Sequence, residues 1–115
     1  MSPTKDAGPA LSPVMHHILL ALLEGERHGY AIMQSVEEIT RGETRLGPAT
    51  LYTNIRKLLE LGMLEETGER PDPELDDERR RYYRLTGLGR EAVAAETRRL
   101  GRLVRYANAH SLLEA

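Results

Sequence analysis

Apolar residues recur at three- and four-residue steps over much of this chain. Between Ser12 and Gly25 they are Val14, Ile18, Leu19, Leu22 and Leu23, all on one helical face. Ser12 suits a cap, Pro13 a first turn and Gly25 a stop, so the spacing predicts a first helix here. Ile32, Val36 and Ile39 predict a second helix that Gly42 ends, and the linker before it is so short that the two must pack together. Leu51, Ile55, Leu58 and Leu59 stripe a third, opened by Pro48 and closed by Gly62.

The rhythm then changes. "MLEET" and "RRYYRLT" are short and rich in apolar and aromatic residues, which predicts the two strands of a hairpin. Between them "GERPDPELDDER" predicts a loop longer than the usual two to five residues. From Gly87 onward helical spacing returns, with Thr86 as cap and Val93, Leu100, Leu103, Val104 and Ala107 on one stripe. At about 25 residues and ~1.5 Å per residue this helix would outrun a small domain. Part of its stripe lacks a partner within the chain, and the same helix of a second copy is the simplest cover.

Three helices, a hairpin and a helix give the order of a winged helix-turn-helix. The predicted fold is therefore mainly α with a small β-hairpin, plus a long C-terminal dimerisation helix. Residues 1–11, with Pro3 and Gly8-Pro9, are expected to form a flexible tail. Residues 12–86 are expected to form a winged helix-turn-helix DNA-binding domain, and residues 87–115 a dimerisation helix.

Charge sharpens this picture. The net charge is −2, which is unlike a nucleic-acid binder taken as a whole. Its distribution is uneven. Residues 60–78 carry nine acids and one base, whereas residues 79–115 carry nine arginines and three glutamates. Charges more than about 10 Å apart are largely screened at ordinary salt, so local fields decide partners.

On the third helix, ~100° per residue sets Ala49, Thr53, Arg56, Lys57 and Glu60 opposite the apolar stripe, with Tyr52 on the flank. Small residues permit close approach to a groove, Thr50 and Thr53 can bond phosphate or base edges, and Arg56 and Lys57 suit phosphate or guanine. Any amphipathic surface helix also turns polar residues outward, so position in the winged-helix order is what favours DNA. Arg79, Arg80 and Arg81 flank the return strand and suit backbone phosphates, although the acidic loop before them offers alternative partners. Strand alternation sets Arg79, Arg81 and Tyr83 on one face and Arg80, Tyr82 and Arg84 on the other, leaving open which meets DNA.

Other chemistries find little support. There is no cysteine, and His16 and His17 are adjacent and diverge on a helix, so no metal site is predicted. No phosphate loop, nucleophile elbow or isolated carboxylate pair marks an enzyme, and no cofactor is expected. The longest apolar run, "ILLALL", is far below the roughly 20 residues of a membrane span, and the first residues lack signal-peptide order. A cytoplasmic location is the default expectation.

Three blocks, "HGYAI" at His28–Ile32, "GPATLYTNIRKLLELGMLE" at Gly47–Glu65 and "RRRYYRLTGLGREAV" at Arg79–Val93, resemble the PadR family of bacterial transcriptional regulators. They stand in the family's order and separation across roughly residues 12–95, and the single last helix is similar to its compact branch. The resemblance implies a homodimeric repressor on double-stranded DNA, with an inverted-repeat promoter site read by the third helix, the wing on the backbone and the last helices paired. For some members it also implies release by a small-molecule effector. Here Val14, Ile18, Leu100 and Val104 would line such a site, and Val93, Leu100, Leu103, Val104 and Ala107 would pair the protomers. Pro48-Ala49 and Thr53 depart from the family's usual residues on the reading face, so the bases read are this chain's own. The alternative is a winged-helix module that docks proteins without binding DNA.

Overall fold

The computed structural model describes residues 11–69 and 81–111. Helix α1 spans Pro13–Ala21, where Ser12 Oγ accepts from the Met15 amide at 3.1 Å. The chain then makes a two-residue strand, β1 (Arg27–His28), and enters α2 (Gly29–Ile39). His28 caps α2 through Nδ1, which accepts from the Ala31 amide at 3.1 Å. Helix α3 covers Pro48–Glu60, followed by β2 (Leu64–Glu69), β3 (Arg81–Leu85) and α4 (Gly87–Ala109).

The sheet departs from the expected hairpin. It has three antiparallel strands in the order β1-β3-β2. Arg27 pairs with Tyr83 and His28 with Tyr82, so the segment joining α1 to α2 is the outer strand of the wing. On the other side Leu64 pairs with Leu85 and Glu65 with Arg84, and a bulge interrupts the register between Glu66 and Gly68. Gly68 has φ near 116°, a backbone state that suits glycine at such an irregularity.

Ile18, Leu19, Leu22, Ile32, Val36, Leu51, Ile55 and Leu58 form the centre of the core, completed by Met63, Leu64, Tyr83 and Val93. Burying each large side chain contributes about 1.5–3 kcal/mol. Ile39, expected on the inner stripe of α2, is 47% exposed at the last residue of the helix, where it borders an open groove with Leu20 and Ala21 of α1.

α3 ends in a Schellman motif. The Gly62 amide donates to Leu59 O at 3.0 Å and the Met63 amide to Leu58 O at 2.9 Å, with Gly62 at φ 76°. The same corner receives α4. The Thr86 amide donates to Met63 O at 3.1 Å, its hydroxyl donates to Gly62 O at 2.6 Å, and Thr86 Oγ1 accepts from the Gly89 amide at 3.0 Å. Gly89 is pressed onto Met63, where an added Cβ would stand 2.0 Å from the carbonyl oxygen. Further along, His16 of α1, which is 6% exposed, meets Thr97 Oγ1 through Nε2 at 3.0 Å. Thr97 in turn donates to Val93 O at 2.7 Å.

Candidate nucleic-acid interface

The core fixes which side of α3 is free. Leu51, Ile55 and Leu58 have at most 1% exposure, which commits one face. On the other side Ala49, Thr50, Thr53, Arg56 and Lys57 are all exposed. Gly47 caps the helix without a side-chain bond, and no acidic residue lies in the first turn. The exposed start of the helix therefore offers its amides without a nearby negative charge. Asn54 is turned onto its own helix, donating to Thr50 O at 2.8 Å.

Tyr52 lies on the flank, half-buried, and with Pro48, Ala49, Thr53 and Arg56 it lines an open groove of about 330 Å³. Arg56 and Lys57 have no ion-pair partner among the described residues. Their charge is available to an anion.

The return strand divides as alternation requires. Tyr83 is 4% exposed and belongs to the core, which turns that face inward along the middle of β3. Arg81 is exposed at the strand's start. Arg84, on the other face, donates through Nε to Glu65 Oε1 of the facing strand. Its charge is thus already engaged, at a contribution of about 0–1 kcal/mol for so exposed a pair. Arg79 and Arg80 lie outside the described residues.

The predicted effector and dimer residues are split by burial. Val14 and Leu100 are half-buried, and Val104 is exposed. Ile18 has no exposed surface and is a core residue of its own protomer, which removes it from any pocket lining. Val93 is likewise revised: at 2% exposure it packs in the chain's own core and offers nothing to a second copy. Leu103 is 55% and Val104 51% exposed, and Ala107 is half-buried.

One residue the sequence did not single out is His28. Besides capping α2, its ring meets Tyr82 edge-on at 5.4 Å and stacks near Tyr30 at 6.5 Å. It joins the wing to the helix-turn-helix. Its signal in the sequence is its place at the head of the block "HGYAI", beside a glycine in a short linker.

The model of the transcriptional regulator PadR-like family matches residues 18–95. The chain belongs to that family. PadR-like proteins are transcriptional regulators, not enzymes, in keeping with a site made of exposed threonines and cations. Transcriptional regulator Rv3488 of Mycobacterium tuberculosis is 34% identical over 89 residues, covering 77% of each protein. An uncharacterized 37.1 kDa protein in transposon TN4556 of Streptomyces fradiae is 34% identical over 86 residues, or 75% of this chain. The chain spans only 22% of that relative's length. The crystal structure of Bacillus subtilis PadR in complex with operator DNA superposes with a TM-score of 0.64 at 20% identity. The match covers 76% of this chain and 48% of that one and shows a shared winged-helix fold. Among the described residues no helix is long and apolar enough to cross a membrane.

Proposed function

We propose that this PadR-like chain is a cytoplasmic, homodimeric repressor that binds an inverted-repeat promoter site in double-stranded DNA. The observation that carries the reading is the outer face of α3. It combines small residues at the helix start, two threonines and two cations without ion-pair partners, on a helix whose other face is locked into the core. Such a face enters a major groove with Ala49 close to the bases, Thr50 and Thr53 bonding edges or phosphates, and Arg56 and Lys57 on guanine or phosphate. Tyr52 guards the flank, and Arg79, Arg80 and Arg81 lead the wing to the backbone.

Pairing through the exposed apolar turns of α4 would set two copies of α3 about 34 Å apart, one turn of duplex. Leu100, Leu103, Val104 and Ala107 supply that surface. A small-molecule effector would enter between α1 and the paired α4 helices, against Val14, Leu100 and Val104. The domain division follows the same logic, with residues 12–86 reading DNA and residues 87–115 pairing.

A gel-shift series on a duplex from the region upstream of the gene tests the reading. Log affinity is expected to fall linearly with log salt, by about 0.9 per phosphate neutralised. Arg56→Ala is expected to weaken specific binding about tenfold or more, the worth of one good base contact. A protein that binds no duplex from low to physiological salt would overturn the proposal in favour of a protein-docking module.

A further inference from the structure

We propose that Gly29 is a positioning residue for the reading surface: lacking a side chain, it lets the phenol of Tyr52 rest against the start of α2. The proposal rests on the DNA-binding reading of α3. Gly29 is the first residue of α2 and is buried. A Cβ added there would stand 2.2 Å from Tyr52 Oη, 2.7 Å from Cζ and 3.0 Å from Cε1. All three are below the ordinary contact distance of about 3.5–4 Å between heavy atoms.

Backbone conformation does not account for the glycine. Gly29 has helical geometry and is absent from the glycines with positive φ, so an alanine would suit the main chain. Helix propensity ranks alanine above glycine. What the site excludes is a methyl group in the place of the tyrosine ring. The obstructed atoms are the far end of a side chain with two torsions, unlike the fixed carbonyl that faces Gly89. An alanine would therefore leave the fold standing and push the ring aside. The ring borders the groove formed with Pro48, Ala49, Thr53 and Arg56, so its displacement reshapes the surface offered to DNA.

The neighbourhood supports this role. His28, one residue earlier, pairs with Tyr82 of the wing and caps α2. The His28-Gly29 step thus seats the wing strand on one side and the flank of α3 on the other. Gly29 fixes the lateral position of Tyr52 with respect to both.

The test is a double-mutant cycle in the full chain, read by fluorescence anisotropy on the upstream duplex and on a scrambled duplex. Gly29→Ala is expected to lower affinity for the upstream duplex tenfold or more while scrambled-duplex binding and its salt slope stay unchanged. The melting temperature should move by less than about 4 °C. Tyr52→Ala should cost a similar factor, and the double variant no more than Tyr52→Ala alone, because the methyl then displaces nothing. In the DNA-free protein, carbon-13 tyrosine spectra should show the Tyr52 ring signal shifted by Gly29→Ala, with Tyr106 in place. Losses that multiply in the double variant, a Tyr52 signal that does not move, or a Gly29→Ala protein that fails to fold would each overturn the assignment. If the wild type binds upstream DNA and Gly29→Ala binds it equally, only this proposal falls. If the wild type binds neither duplex, the DNA-binding reading falls with it.

Discussion

Along α4, the turns up to Thr97 and the turns from Leu100 onward carry the same apolar spacing and meet different surroundings. The first part is pinned. Gly89 lies on Met63, Val93 is 2% exposed, and Thr97 holds the buried ring of His16. The second part projects past the core, with Leu103 at 55%, Val104 at 51% and Tyr106 at 70% exposure. Periodicity announces a face in both and is silent on what covers it. Length decides: 23 residues extend about 34 Å, more than α1 and the α3 corner can cover.

If the division is real, substitutions in the two parts should act on different quantities. The largest effect on protomer stability is expected from Gly89→Ala. Its methyl meets a backbone carbonyl that cannot rotate away, so α4 must lift off. Overpacking of this kind costs about 1–3 kcal/mol, and thermal melts should fall by roughly 4–8 °C per kcal/mol. An unchanged melting temperature would mean that the first turns are held more loosely than described.

A middle-sized effect is expected at the α1–α4 contact. Thr97→Val removes the hydroxyl that meets His16 Nε2, which costs about 0.5–1.5 kcal/mol, the net worth of one hydrogen bond. The same contact gives a pH signature. Burial holds the His16 imidazole below its ordinary value of 6.5, aided by His17 and Arg99 and opposed by Glu96. The unfolded chain therefore takes up this proton first as pH falls. Stability from this group is complete above about 6.5 and is lost as pH drops from there through the lower folded value. Melts between pH 7.5 and 5 should show this decline, and His16→Gln should flatten it. A slope unaffected by that substitution would assign the decline to other groups.

The smallest effect on the protomer is expected from Leu103→Glu with Val104→Glu. Both side chains are already in water, so fold stability should change by only about 0.5 kcal/mol. On the proposed pairing through α4, sedimentation should nevertheless show the parent chain as a dimer and this variant as a monomer. A dimer that survives both charges would place the pairing surface elsewhere.

The helices were legible because their ends carry their own chemistry. The sequence marks Ser12 and Thr86 as caps and Gly62 as a stop, and each makes the expected bonds. Strand β1 was not legible, since two residues cannot display a period of two. Only its pairing with Tyr82 and Tyr83 defines it. The exposed face of α3 follows from ~100° geometry, because Leu51, Ile55 and Leu58 leave one choice. The orientation of β3 did not follow, because alternation sorts residues into two sets without saying which is inside. Tyr83 settles it through packing that involves distant segments. Val93 and Val104 share a stripe in sequence, and only the reach of α1 separates core from open surface.

The corner formed by Gly62, Met63, Thr86 and Gly89 has a consequence for how operators could diverge. The start of α4 is hydrogen-bonded to the Gly62-Met63 backbone that closes α3, so the end of one helix is tied to the start of the other. In a dimer joined along α4, the gap between half-sites then works like the opening of a pair of callipers set at the α4 crossing. On the proposed reading, changes at Leu103 or Val104 would alter that opening and leave the contacts assigned to Thr53 and Arg56 as they are. Operator spacing and operator sequence would then be separately adjustable properties of one small chain.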